Sequence, residues 1–352
     1  MKDFTYVSFA SRVVFGAGSV RKLPEEVDRL GAKRALVLST PGRAADAKRL
    51  TASLGARFAG IYDKAVMHVP MQTAEDGRRV ARELGADCCV AVGGGSTIGL
   101  GKAIALTTGM PVLAVPTTYS GSEMTPAQGF VEGGVKRVRL DPKMLPKTVI
   151  YDPELTVKLP AATSAASGMN AMAHCAEALY AQNSNPIVQL MAEEGIRALA
   201  ASLPRIVADP KNLEARGEAL YGAWLAGVVL AAGGMALHHK LCHTLGGTWN
   251  LPHAETHSIV LPHAVRYNRD AAPEAMARIA RAIGADDAAG GLYDLQLKLG
   301  LKMKLADLGV PASDLERAAS IALEAPYPNP ATVTYEGVLA LLRRAHAGLR
   351  PE

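Results

Sequence analysis

Six of the nine histidines in the 352-residue chain fall within one stretch, Met235–His263, reading MALHHKLCHTLGGTWNLPHAETHSIVLPH. They are His238, His239, His243, His253, His257 and His263. His239 and His243 are four apart, so a helix puts them on one face. His253 follows ten residues after His243, past Gly246, Gly247 and Pro252. Those three residues are expected to break the helix and let the chain bring His243 and His253 back to one point. Upstream, SGMNAMAHCAE sets Asn170 and His174 at the same i, i+4 spacing. Imidazole titrates near working pH, so histidines gathered this way can move a proton, hold an oxyanion or ligate a divalent metal. A metal site of this design would normally include a carboxylate, and the matching position is an amide, Asn170. A single histidine is more often a core or helix-cap residue. The crowding on both sides of the Gly/Pro break singles out His243 and His253, while His238, His257 and His263 are read as structural.

A second feature lies in the first half. Gly93-Gly94-Gly95-Ser96 joins an apolar strand, Asp87–Val92, to a helix, Thr97–Leu106. Glycines let a backbone approach a phosphate, and a helix N-terminus offers free N–H groups and the positive end of its dipole. Ser96 is placed to cap that helix. The next strand, Pro111–Val115, runs into a polar loop, PTTYSGSE, from Pro116 to Glu123. Ligands of parallel sheets bind outside the carboxyl ends of the strands. Two loops at one sheet edge suit a dinucleotide, with Gly94, Gly95, Ser96, Thr117 and Thr118 as contacts. The first clear strand ends in Ser39-Thr40-Pro41-Gly42-Arg43 rather than in GxGxxG. Ser39 is the candidate ribose contact. With no acid there and Arg43 nearby, a 2′-phosphate meets no repulsion, so both NADH and NADPH are expected to be accepted.

The elements that must position these groups differ between the halves. Strand-like runs at Arg34–Ser39, Arg57–Tyr62, Asp87–Val92, Pro111–Val115 and Thr148–Tyr151 alternate with helical stretches at Val20–Leu30, Gln72–Leu84 and Thr97–Leu106. Continuously apolar strands in such an alternation indicate a parallel sheet covered on both faces. Phe130–Leu140 reads as a small hairpin. After Tyr151-Asp152-Pro153-Glu154 the strand signal stops. Thr163–Ala181, Pro186–Leu203, Leu213–His243, Pro273–Ala282, Gly290–Leu299 and Val333–Ala347 all read as helices. The expected organisation is a Rossmann-like α/β domain over residues 1–155 and an all-α domain over 156–352.

Composition narrows the function. Hydrophobic residues make up 49% and charged residues 20%, with a net charge of +5. Basic residues are scattered and aromatics are only 5%, which argues against nucleic-acid binding and fits an enzyme acting on small anions. The four cysteines, Cys88, Cys89, Cys175 and Cys242, show no CxxC spacing, so a reducing cytoplasm is expected. The uncharged run Leu220–Leu237 is long enough to raise a membrane span, but it is rich in Ala and Gly, and it is read as a buried helix.

Several segments together resemble the iron-containing alcohol dehydrogenase superfamily of dehydroquinate synthase-like fold, and within it the maleylacetate reductase branch. They are FGAGSVRKL, the GGGS loop, PTTYSGSE, IYDPELTVKLP, SGMNAMAHCAEAL, NPIVQLMAEEGI, the histidine stretch and NPATVTYEGVLALLRRA. The resemblance implies a nucleotide-binding domain, a helical domain with the site in the cleft between them, and a homodimer. It aligns Lys136 with a lysine that reaches the cofactor. In metal-dependent members one Asp and three His hold the ion, and the matching positions are Asn170, His174, His243 and His253. Asn170 departs from the pattern, and a neutral amide is a poor ligand for iron or zinc. The implied reaction is metal-free, NAD(P)H-dependent reduction of the carbon–carbon double bond of maleylacetate to 3-oxoadipate, in the degradation of aromatic compounds. His243 and His253 would then be catalytic, one stabilising an enolate and one protonating it, with either assignment open. Asn170, His174 and His239 would bind the dicarboxylate. Competing expectations are a metal-dependent alcohol or lactaldehyde dehydrogenase, a lyase of the dehydroquinate synthase type, and a nucleotide-binding protein without catalysis. Asn170 weighs against the first two, and the histidine density against the third.

Overall fold

The computed structural model describes residues 3–352 apart from 68, 133, 134 and 326, with side chains outside Phe130–Arg137. Contacts divide it into two units, one formed mainly by Ser8–Leu159 and the other mainly by Pro160–Glu352.

The first unit holds strands β1 (Arg12–Phe15), β2 (Ala35–Leu38), β3 (Phe58–Tyr62), β4 (Cys88–Gly93) and β5 (Val112–Pro116). A separate ribbon of β6 (Ala127–Glu132) and β7 (Val135–Leu140) follows, then β8 (Thr148–Tyr151). Helices α1 (Leu23–Arg29), α2 (Ala44–Leu50), α3 (Met71–Glu83) and α4 (Gly95–Thr108) lie between strands. The six-stranded sheet is parallel throughout, in the order β1-β8-β5-β4-β2-β3. Side chains alternate across it. Ala35, Val37, Cys88, Val90, Leu113 and Val115 pack with Leu23 and Val27 of α1 and Ala47 of α2 in one core. On the opposite side Gly101 brings α4 close, since a Cβ there would sit 3.1 Å from Val112 Cγ1 and 3.5 Å from Leu38 Cδ1. Covering both faces explains why the central strands read as unbroken apolar runs. β1 carried no strand expectation: it has four residues and is half-exposed, so its alternation is too brief to register.

The chain leaves β2 for β3 on one side, then returns to lay β4 on the other. The connections therefore reverse direction at β2/β4, and the carboxyl ends of those two strands flank a topological switch point, where open α/β sheets bind ligands. Ser39 follows one strand and Gly94 the other.

The second unit is built from α5 (Ala161–Ala178), α6 (Pro186–Ala208), α7 (Leu213–Gly233), α8 (Leu237–Trp249), α9 (His253–Tyr267), α10 (Pro273–Ile283), α11 (Ala288–Lys298), α12 (Leu315–Glu324) and α13 (Tyr335–Ala347). Helices α5, α6 and α7 pack side by side. Gly222 on α7 permits close approach, as a Cβ there would stand 2.7 Å from Leu199 Cγ of α6.

Two expectations are corrected. The single helix Leu213–His243 is two helices, bent by 101° at residues 234–236, with Gly234 at φ +87. The helix does not break at Gly246-Gly247 but continues to Trp249, and the turn falls at Asn250, at φ +50, before Pro252. Leu241, Cys242 and Leu245 lie in an apolar core with α9, α12 and α13, and that packing outweighs the roughly 1 kcal/mol cost of each mid-helix glycine. α9 and α12 were not expected at all. Among the described residues no single helix is long and apolar enough to cross a membrane; α7 and α8 qualify by length and composition only as the bent pair.

Candidate active site

The helical unit gathers the histidines around two rings, His239 and His257. His174 of α5 stacks on His239 of α8, with centroids 5.1 Å apart. His257 of α9 lies 5.0 Å from His239, 4.9 Å from His238 and 4.2 Å from His253. His243 stands at the margin, 6.0 Å from His239 and 6.5 Å from His257, with its Nδ1 3.3 Å from the Tyr327 hydroxyl. The i, i+4 spacing of His239 and His243 does put them on one helix face. His253 and His257 repeat that spacing at the start of α9. His238 and His257, read from the sequence as structural, belong to the cluster: His238 Nε2 and His257 Nδ1 are 3.0 Å apart and share a hydrogen bond. His263 is also buried, and burial pushes it down to about 4.

Much of the cluster is buried, and three of its rings are held uncharged. Burial holds His174, His238 and His257 well below the ordinary imidazole range, and each neighbouring imidazolium charge would lower them further. Asn170 Oδ1, His174 Nδ1, His239 Nε2 and His257 Nε2 are buried without a hydrogen-bond partner among the described residues. Unpaired buried polar atoms are costly and call for an explanation. A polar ligand that hydrogen-bonds to these atoms would supply one.

One carboxylate went unnoticed in the sequence. Glu177 of α5 is fully buried; its Oε2 is 2.5 Å from His239 Nδ1 and accepts from the Ala236 amide at 2.8 Å, while its Oε1 accepts from the His238 amide at 2.6 Å. It lies one helical turn beyond His174, which was the available signal.

In the α/β unit the two loops meet. The Thr117 amide donates to Gly93 O at 3.1 Å, and a Cβ on Gly94 would stand 2.9 Å from Thr118 Oγ1 and 3.0 Å from Thr118 Cγ2. The close approach of the two loops at Thr118 thus leaves room only for glycine at position 94. Gly94 is the N-cap of α4 and brings no side-chain cap. Ser96 lies within the first turn, which corrects its expected capping role; the helix simply starts earlier, at Gly95. These loops fit a pyrophosphate by backbone approach and helix dipole. Ser39 is fully buried, its hydroxyl turned to Thr40 O at 3.3 Å. Arg43 lies beside Asp46, 3.5 Å away. The side chain of Lys136 falls outside the described residues.

The family's iron calls for an anionic ligand. Asn170, His174, His239, His243 and His253 offer only an amide and imidazoles, and both oxygens of Glu177 are engaged by N–H donors. Imidazole suits iron and zinc, so what the set lacks is the anionic ligand. His238, Cys242 and His257 also place three donor atoms within 4.8 Å of one another, and His238 Nε2 and His257 Nδ1 are hydrogen-bonded to each other.

A doubly covered parallel sheet with phosphate loops and a histidine-lined helical unit define a class. Residues 10–153 match the iron-containing alcohol dehydrogenase family and residues 164–346 the C-terminal part of the Fe-containing alcohol dehydrogenase family, and the chain belongs to that family. Within it the likeness is to maleylacetate reductases. The chain is 57% identical over 349 residues to the maleylacetate reductase of Sphingobium indicum, covering 99% of each. It matches the crystal structure of maleylacetate reductase from Agrobacterium tumefaciens with a TM-score of 0.96 and 50% identity, covering 100% of both chains. A sulfoacetaldehyde reductase from Bifidobacterium kashiwanohense, solved in complex with NAD+, shares the fold at a TM-score of 0.90 and 23% identity, over 98% of this chain and 99% of that one.

Proposed function

We propose that the chain reduces maleylacetate to 3-oxoadipate in the degradation of aromatic compounds, with NADH or NADPH and without a metal. The observation that carries the reading is full-length similarity to maleylacetate reductases, at 57% identity in one case. Bound at the Gly93–Ser96 and Thr117–Thr118 loops, the nicotinamide cofactor supplies a hydride, which adds to the carbon β to the ketone of the conjugated enone. The double bond's electrons pass to the ketone oxygen as an enolate, and a proton then adds at the α carbon. The histidines serve that charge. His243 and His253 stabilise the enolate and return the proton, while Asn170, His174 and His239 hold the dicarboxylate. Ring N–H donors in a water-poor site stabilise an oxyanion strongly, so no Lewis acid is needed. Asn170 can donate a hydrogen bond where an aspartate would repel the substrate. No acid stands at Ser39-Thr40 to select NADH, and any preference in kcat/KM for NADH is expected to stay below roughly a thousandfold, about 4 kcal/mol. Four free, buried cysteines suit a cytoplasmic enzyme, and a homodimer is the expected assembly.

The test is NAD(P)H oxidation with maleylacetate after exhaustive chelation, with metal content measured on the same sample. Full turnover in metal-free protein supports the reading. Activity that vanishes on chelation and returns with zinc or iron defeats the metal-free part. No turnover under any condition defeats the substrate.

A further inference from the structure

Glu177 has no part in the chemistry described so far, yet it makes the densest set of hydrogen bonds in the cluster. Three N–H donors converge on it: the Ala236 amide, the His238 amide and His239 Nδ1. The two amides lie at the N-terminus of α8, where Ala236 is the N-cap and supplies no side-chain cap. The carboxylate therefore does from α5 what a capping side chain would do locally, at the positive end of the helix dipole. The third bond points at function. With Nδ1 committed to Glu177, the only nitrogen of His239 left to act is Nε2, which is buried and without a partner among the described residues. The ring is further held by the stack with His174.

We propose that Glu177 is a positioning residue for His239. It fixes the ring orientation and keeps a proton on Nδ1, so that Nε2 is the atom presented to the ligand, as a hydrogen-bond acceptor. Two roles fall on one side chain: it holds open the break between α7 and α8, and it sets which atom of His239 meets the ligand. A glutamine has the same shape but only one oxygen, and its NH2 would either face a backbone amide or donate to Nδ1 and reverse the tautomer. A carboxylate that orients a functional histidine typically matters by about 10²–10⁴-fold when it is made an amide.

The effect on turnover rests on the proposed maleylacetate activity; the effect on the ring does not, so the two are measured separately. On ¹⁵N-histidine-labelled wild-type protein, His239 should give an Nδ1-protonated ring with a downfield proton signal, absent from His239→Asn. A wild-type spectrum showing His239 protonated on Nε2 alone overturns the proposal without any variant of Glu177 being made. In kinetics, Glu177→Gln should lower kcat/KM for maleylacetate by about 10²-fold or more, and His239→Asn by a comparable factor. The double variant should be no worse than His239→Asn alone, because Glu177 acts through that ring. If Glu177→Gln costs the same factor in the His239→Asn background as in the wild type, the carboxylate is only a helix clamp and the proposal fails.

Discussion

Asn170→Asp isolates the question of the metal. The side chain is 5% exposed on α5, and its Oδ1 has no partner among the described residues. The neighbouring His174 is kept uncharged by burial, with His238 and His257 in the same state deeper in the cluster, so a new carboxylate finds no cation waiting. Breaking the charge balance of a buried site typically costs about 3–5 kcal/mol. Proton uptake by an adjacent imidazole returns part of that, leaving a loss of about 3 kcal/mol. At about 2–4 °C per kcal/mol for a unit of this length, Tm should fall by roughly 6–12 °C. The same substitution completes a carboxylate–imidazole donor set of the kind divalent ions prefer. Zinc at a hundredfold excess over its Kd would stabilise the folded state by about 2.7 kcal/mol, returning roughly 5–11 °C. The assay is thermal unfolding of both proteins with chelator and with graded zinc. The variant should be the less stable protein without metal and the more responsive one with it. Equal zinc responses in the two proteins would refute the argument, since the amide would then be as good a ligand as the carboxylate. An unresponsive variant would refute it too, by showing that the imidazoles do not converge on position 170.

Three further outcomes are expected. Gly94→Ala puts a methyl group 2.9 Å from Thr118 Oγ1, so overpacking by about 1–3 kcal/mol should lower Tm by roughly 2–12 °C, and NAD(P)H affinity by fluorescence titration on the folded variant should fall as well; unaltered affinity would remove the loop from the cofactor site. Lys102 is fully buried and donates to Thr125 Oγ1 at 2.9 Å and Ala127 O at 2.8 Å; burial pushes it down to about 7, against the pull of Glu123. Between about pH 7 and the ordinary lysine range the unfolded chain binds a proton that the folded chain does not, so stability should rise with pH across that window, and Lys102→Met should flatten the rise in urea midpoints measured from pH 7 to 9; an identical slope in the variant would show Lys102 charged throughout. His243→Ala should lower kcat with maleylacetate by about 10²–10⁴-fold at unchanged Tm and NADH affinity, and a folded variant keeping more than about a tenth of kcat would pass the catalytic role to His253.

What could be read from the chain follows from how local each cause is. The glycine loop after β4 and the polar loop after β5 were legible because a buried strand, a turn and a helix start are contiguous in sequence. The strand order was not, since pairing β4 against β2 and β5 depends on groups far apart in the chain. The histidines were visible as a set, yet their arrangement was not: the sequence singles out His243 and His253, while the folded cluster is centred on His239 and His257. The reason is visible in two identical dipeptides. Gly233-Gly234 ends a helix and Gly246-Gly247 does not, although local propensity favours neither outcome. At the first, Gly234 takes a positive φ, and two amides freed just beyond it, those of Ala236 and His238, are received by Glu177. At the second no such acceptor is found among the described residues, and the buried face of Leu241, Cys242 and Leu245 carries the helix onward. An acceptor some sixty positions upstream thus selects which glycine pair breaks the chain. The same side chain also holds Nδ1 of His239. Fold and site are set here by one carboxylate, and for that reason neither the break nor the orientation could be read from the histidine stretch alone.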